Sequence, residues 1–171
     1  RRLTLHPAPP KAGNGWMTRA VAKLMTWLLA ACWAGLSPAV FGQASMLTLR
    51  TNGPAANRFN IVFLSEGYTA SEMPQYLIDA TNALNALLSR QPFSQYSSYF
   101  NAFAIKTNSA ESGSDHPYDD PPTSASTYFN SCYDGSLITL PAGSNGQGRV
   151  DALLQTFMPK CSLSVLLVND P

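Results

Sequence analysis

The chain has 171 residues, of which 45% are hydrophobic and 12% are charged, and its formal net charge is +1. This composition suits one modest domain with a buried core and excludes a highly charged disordered polymer. From Ser45 onward six basic residues stand against ten acidic ones, a net charge of −4. A chain with that balance has no basic stripe to neutralise phosphates, so we predict no nucleic-acid partner.

The N-terminal region has the organisation of a secretory signal peptide over residues 17–44. Residues 17–23 are short and basic, residues 24–36 are almost purely apolar, and Gly42 and Ala44 are small residues suited to cleavage after Ala44. About thirteen apolar residues fall short of the roughly twenty that span a bilayer, so no membrane span is predicted. Residues 1–16 precede the first methionine and are interpreted as an upstream leader of doubtful origin. We therefore expect a secreted or periplasmic bacterial protein.

The three cysteines allow two further hypotheses. Residues 29–32, Leu-Ala-Ala-Cys, match the lipobox of bacterial lipoproteins, so Cys32 is a candidate lipidation site and the chain could carry a lipoprotein anchor. Cys132 and Cys161 remain after the signal segment, and in an oxidising compartment they could form a disulfide. The alternatives are an ordinary apolar Cys32 and two free thiols.

The first half of the mature chain predicts strand, strand, helix and a second long strand in order. Residues 46–49 alternate as in a short strand, and residues 59–64 form an apolar run typical of a strand covered on both faces. Thr69 and Glu72 have capping-box spacing, and apolar residues at helical intervals carry the helix to about Ser89. The aromatic residues that follow favour packing in the core, with a carbohydrate platform as the alternative: Phe93, Tyr96, Tyr99 and Phe100.

The second half predicts a strand at about residues 100–106, a long polar loop over 107–148, a helix at 149–158 and a strand at 163–168. Loops of that length within a compact domain are functional or disordered. Strands interleaved with helices are typical of an α/β domain, so we predict a three-layer arrangement with helices packed on a mixed sheet.

Candidate site residues follow the two long strands. Ser65, Glu66 and Gly67 end the first, and the polar loop after the second contributes Glu111, Asp115 and His116, so these six are candidates for the reactive groups of an α/β enzyme. Glu66 is interpreted either as a functional carboxylate or as a partner of a helix cap or loop amide. Gly67 is explained by a turn that needs positive φ.

Known catalytic patterns do not account for these residues. His116 is the single histidine after the signal segment, whereas a catalytic zinc ion normally takes three protein ligands, so no catalytic or metal-binding residue is assigned. The acidic residues around His116 lack the spacing of a calcium loop, which favours a solvated acidic loop. A serine-hydrolase arrangement of Ser65 and His116 would lack the G-x-S-x-G elbow.

Several separated motifs resemble the N-terminal half of the catalytic domain of the IgA-peptidase family, the sixty-fourth family of metallopeptidases. They occur in the family's order between residues 57 and 170, namely 60–69 (NIVFLSEGYT), 72–73 (EM), 79–80 (DA), 92–93 (PF), Tyr96, 100–101 (FN), 109–115 (SAESGSD), Pro117, 127–129 (TYF) and 163–169 (LSVLLVN).

The resemblance implies a secreted zinc endopeptidase that acts on proteins or peptides. It also implies that the turn at residues 65–67 and the polar loop at residues 111–117 line the cleft at the strand ends. Members carry an H-E-x-x-H helix that supplies two zinc ligands and the glutamate that activates water, placed after the strand matching residues 163–169. This sequence contains no H-E-x-x-H. We therefore expect residues 45–171 to be a C-terminally incomplete domain that binds no catalytic zinc itself. The alternative is a secreted non-catalytic module that presents the polar loop and the aromatic residues for binding or adhesion.

Overall fold

A computed structural model describes residues 43–170, which form six strands and two α-helices. In chain order they are β1 (Ser45–Arg50), β2 (Phe59–Glu66), α1 (Met73–Leu88), β3 (Phe100–Lys106), β4 (Cys132–Asp134), β5 (Leu137–Thr139), α2 (Gln147–Phe157) and β6 (Leu163–Val168). The predicted leader, nearly all of the predicted signal peptide, and Cys32 lie outside these residues.

Four strands form one mixed sheet in the order β1-β3-β2-β6. Strand β1 is antiparallel to β3, whereas β2 is parallel to both β3 and β6. The carboxyl ends of β2, β3 and β6 therefore meet at one side of the sheet, which we call the carboxyl edge. Their first residues meet at the opposite side, the amino edge.

The core consists of two apolar layers on the two faces of this sheet. Alternate residues of β2 point to opposite faces, so Ile61 and Phe63 pack with α1 while Val62 and Leu64 pack with α2. All four side chains are essentially inaccessible to solvent. The predicted α/β architecture, with helices on both faces of a mixed sheet, is confirmed.

A capping box starts the segment that leads into α1, as predicted. The Glu72 carboxylate accepts hydrogen bonds from the Thr69 backbone N–H at 2.8 Å and from the Thr69 hydroxyl at 2.7 Å. The backbone hydrogen bond from Thr69 is the main cause that lowers the pKa of Glu72. A single 3₁₀ turn (Ala70–Glu72) intervenes before α1 begins at Met73, with Pro74 in its first turn.

The structure differs from the sequence expectations in two places. The predicted loop 107–148 contains the β4–β5 hairpin, whose strands have three residues each and pair antiparallel to one another. The aromatic residues are not core as a group, because Phe100 is buried whereas Phe93, Tyr96 and Tyr99 are exposed. Their rings lie at the amino edge of the sheet, where no helix covers them within residues 43–170.

Cys132 and Cys161 are both free in the structure, so the predicted disulfide is not supported. Cys132 begins β4, whereas Cys161 packs against the core layer on the α2 side. Burial raises the pKa of the Cys161 thiol. Neither helix within residues 43–170 is both long and apolar enough to cross a bilayer.

Candidate functional site

The Glu66 carboxylate is the anchor of the carboxyl edge. It is fully buried at the end of β2 and accepts three hydrogen bonds from one segment of the polar loop. Thr127 Oγ1 and the Ser131 backbone N–H donate to Oε1 at 2.6 and 2.8 Å, and the Phe129 backbone N–H donates to Oε2 at 2.9 Å. The interpretation of Glu66 as a partner of loop amides is confirmed.

The local sequence explains why this contact forms. Glu66 continues the alternation of Val62 and Leu64, so its side chain lies on the α2 face, where Phe129 fills the same layer. Burying a carboxylate in such an apolar layer is costly unless each oxygen finds donors. The loop supplies them from Thr127, Phe129 and Ser131, all buried, and is thereby fixed beside β2.

A close backbone contact joins the turn after β2 to the polar loop. Gly67 has φ = +71° and its carbonyl accepts a hydrogen bond from the Gly113 N–H at 3.2 Å. A Cβ atom at Gly67 would lie 2.2 Å from the Gly113 carbonyl oxygen, a distance that no side chain tolerates. Gly67 is therefore required both by its left-handed conformation and by the approach of the loop.

A second set of polar contacts ties the end of β6 to the loop and to the start of α1. The Asn169 side-chain amide donates to Ser112 Oγ at 2.9 Å and to the Gly67 carbonyl at 3.3 Å. Ser112 in turn donates to the Glu72 carboxylate at 3.0 Å. Three separate elements thus converge on residues 112 and 113.

Ser65 also helps to hold the strand ends together at the carboxyl edge. Its hydroxyl donates to the Thr107 carbonyl at 2.9 Å and accepts from the Thr107 backbone N–H at 2.7 Å, so it joins the ends of β2 and β3. Ser65 is fully buried. A hydroxyl engaged in this way has a structural role, which leaves the serine-hydrolase arrangement without a nucleophile.

His116 lies between two aspartates at the carboxyl edge. Its Nε2 is 2.8 Å from Asp170 Oδ1, its Nδ1 is 3.3 Å from Asp119 Oδ2, and its ring stacks at 5.2 Å on Tyr133. Ser114 Oγ also donates to Asp170 at 3.3 Å. The hydrogen bond to Asp170 is the main cause that raises the pKa of His116. In its protonated form the imidazole can donate to both aspartates at once.

These contacts surround a cavity of about 340 Å³ at the carboxyl edge. Most of the residues that line it are of polar types, and the full set is Ser112, Gly113, Ser114, His116, Asp119, Thr123, Ser124, Ala125 and Asp170. A neighbouring cavity of about 380 Å³ shares Thr123 and Ser124 and includes Asp115 and Cys132. Open sheets of parallel strands bind ligands in this position, outside the carboxyl ends of the strands.

Of the six residues predicted to line the cleft, two line the cavities, one is exposed and three are buried. His116 and Asp115 line the two cavities, and Asp115 Oδ1 also accepts a hydrogen bond from the Ala125 N–H at 2.8 Å. Glu111 is exposed and accepts from the Ser126 N–H at 2.6 Å. Ser65, Glu66 and Gly67 are buried beneath the surface and hold the wall from behind.

Sequence reasoning missed Asn169 and Asp170, which contact the loop from the end of β6. A signal was present, because polar residues directly after a strand that is parallel to β2 must lie near the end of β2. It also missed Ser109, whose hydroxyl accepts hydrogen bonds from the Gly67 N–H at 3.1 Å and the Tyr128 N–H at 3.0 Å.

The donor set of residues 43–170 does not fit a catalytic zinc ion. No three His, Cys, Asp or Glu side chains in this part of the chain lie close enough together to hold a metal. Both nitrogens of His116 face aspartates directly. We therefore assign no metal-dependent step to these residues.

The fold and this loop-covered edge define an α/β domain with a cavity at the carboxyl ends of its parallel strands, and sequence comparison gives the family. The sequence pattern of the family described as IgA Peptidase M64 matches residues 47–139, more than half of the chain. The chain therefore belongs to the IgA-peptidase family of metallopeptidases, as its motifs indicated. No curated protein matches the sequence.

Replacing Glu66 with Gln should destabilise the domain by about 2–4 kcal/mol, because the new amide presents a donor to groups that already donate. Urea denaturation of the two proteins measures this difference. Glu111→Gln is the matched control, since Glu111 is exposed and accepts a single loop amide. Its cost should stay within about 0.5–1 kcal/mol. Equal losses at both positions would contradict the anchoring role of Glu66.

Replacing Gly67 with Ala should lower the thermal midpoint clearly more than Gly135→Ala. Both glycines have positive φ, +71° and +62°, so both substitutions carry a backbone cost of about 1–3 kcal/mol. A Cβ atom at Gly135 would enter open space, whereas one at Gly67 would meet the Gly113 carbonyl. The difference between the two variants isolates the cost of displacing the loop, and similar midpoints would show that the loop is not held there.

The pKa of His116 should lie above its ordinary value and fall in the Asp170→Asn variant. Because the folded-state pKa is raised, the contact stabilises the fold fully below about pH 6.5 and this contribution is lost as the pH rises through the folded-state pKa. Titration of the imidazole proton resonances checks this, and His6→Gln assigns them because the chain has two histidines. Asp151→Asn on α2 is the control. An unchanged titration in Asp170→Asn would refute the contact.

Proposed function

We propose that this chain forms one wall of the catalytic domain of a secreted zinc metallopeptidase that hydrolyses proteins or peptides. The family match carries the proposal, because residues 47–139 include most of β1, the strands β2 to β5 and most of the polar loop that covers the carboxyl edge. The convergence of that loop with the ends of β2 and β6 supports it, since the site position is the one that open parallel sheets use.

In this proposal residues 43–170 shape the cleft and do not carry the bond-breaking step. Glu66, Gly67 and Asn169 hold the loop against the sheet, while Ser112 to Ser114 and His116 present their polar groups to the cavity. The zinc ligands and the general base would come from an H-E-x-x-H helix encoded after β6, which is the motif order that the resemblance implies.

Secretion is part of the same proposal. The basic start, the apolar run and the small residues before Ser45 support export followed by cleavage after Ala44. Lipidation at Cys32 would instead leave the protein attached to a membrane surface by its acyl chains.

The test has two stages, and the gene comes first. The reading frame after codon 171 should encode H-E-x-x-H, and the protein made from that longer frame should be exported with Ser45 as its first residue. With zinc it should cleave a mixed protein substrate, and treatment with a chelator should abolish cleavage.

The matched control replaces the glutamate of H-E-x-x-H with Gln, which removes the base and leaves both metal-binding histidines. Cleavage that survives this substitution, or a zinc-loaded longer protein that cleaves nothing, would refute the peptidase proposal. A stop codon directly after codon 171 would favour the non-catalytic binding module. A membrane-bound product that starts at Cys32 would replace cleavage after Ala44 with lipidation.

A further inference from the structure

A groove of about 430 Å³ lies at the amino edge of the sheet, at the opposite end of the strands from the loop-covered cavity. We call it the aromatic groove, and it is lined by Phe59, Pro92, Phe93, Tyr96, Tyr99 and Phe100. Tyr96 is 56% and Tyr99 is 60% exposed, although aromatic rings of this size contribute most when they are covered. The catalytic proposal makes no use of this groove.

The groove is built on the central strand pair of the sheet. Phe59 and Phe100 are register partners at the starts of β2 and β3, and their rings pack edge to face at 5.4 Å. The next residues, Asn60 and Asn101, are buried and joined by a hydrogen bond of 3.0 Å. The Phe59 and Phe100 rings are therefore held in place without a ligand, so the base of the groove is preformed, as is usual for a binding pocket.

The charge around the groove is positive. The Arg58 guanidinium lies over the Tyr99 ring, 5.5 Å from its centre, and donates to the carbonyls of Asn52 and Asn57. Residues 50–60 and 89–101, which supply the groove and its surroundings, contain Arg50, Arg58 and Arg90 and no acidic residue. An anionic ligand would meet no carboxylate of these two segments.

The shape and chemistry of the lining select among anionic ligands. The groove is open and its lining is almost wholly apolar, so it suits a ligand with one apolar face and with polar edges that stay in solvent. A pyranose ring has that form, whereas an apolar peptide side chain has no polar edges. A neutral sugar would leave the positive charge of Arg58 unused.

We propose that the aromatic groove binds a sugar that carries a carboxylate, with its apolar face on Tyr96 and Tyr99 and its charge near Arg58. This inference does not depend on the peptidase proposal, because the groove lies at the other end of the sheet. The site would give the protein an attachment point for acidic glycans, separate from any cleft at the carboxyl edge.

Calorimetric titration of the purified 171-residue chain with sialyllactose tests the proposal, with lactose as the neutral probe. Sialyllactose should bind saturably and at least about tenfold more tightly than lactose, and this preference should shrink in high salt because the charge contact is exposed. The N-acetylated dipeptide amide of glutamate and phenylalanine, whose one charge is the glutamate carboxylate, is the third probe. It has the same charge and an aromatic ring but no pyranose, and it should bind more weakly than sialyllactose.

Tyr96→Ala and Tyr99→Ala should each weaken sialyllactose binding by about tenfold. Tyr118→Ala is the matched control, because Tyr118 is 74% exposed and belongs to the polar loop at the carboxyl edge. Circular dichroism checks that the three variants fold as the unaltered chain does. The comparison of the three ligands uses the unaltered chain and does not depend on the variants. Absence of saturable binding, equal affinity for lactose, tighter binding of the peptide, or an equal loss in Tyr118→Ala would each overturn the proposal.

Discussion

The burial of one carboxylate organises the functional end of this domain. Glu66 sits in an apolar layer where an unpaired oxygen would cost several kcal/mol, so the fold must bring donors to it. They come from Thr127, Phe129 and Ser131, which lie more than sixty residues later in the chain. A loop that would otherwise have many conformations is thereby placed beside the strand ends. The Gly67–Gly113 contact and the Asn169 amide then fix its other half.

Different side chains join β2 to β3 at the two ends of the sheet. At the carboxyl edge, Ser65 and Thr107 join β2 to β3, and the carboxylates of Asp119 and Asp170 flank His116. At the amino edge, the amides of Asn60 and Asn101 do the joining, and the surrounding charges are positive. Because polar side chains join the strands at both ends, the middle of β2 can be wholly apolar. One small domain can thus present two surfaces with opposite charge preferences.

Local patterns predicted the elements well because each depends on nearby residues. The apolar run of β2, the capping box at Thr69 and Glu72, and the positive φ of Gly67 are all visible within a few residues. The β4–β5 hairpin was missed because its two short strands are mostly exposed and show little alternation. The candidate site was only partly predictable, because its contacts join distant parts of the chain. Pairing of Glu66 with loop amides was one of the interpretations that the sequence left open, and which amides it pairs with depends on where the loop returns. Asp170 was overlooked although its position after a parallel strand placed it at this edge.

Side-chain hydrogen bonds join β2 to β3 at both ends, and they also determine the order in which parts of the domain unfold. Their backbone amides are paired along the centre of the sheet and locked by side chains at each end, so they should exchange with solvent water last, through global unfolding. The β4–β5 hairpin and residues 141–146 have few such constraints and should open by local fluctuation. A protein released among proteases would therefore be nicked first at the hairpin tip, while its central strand pair persisted.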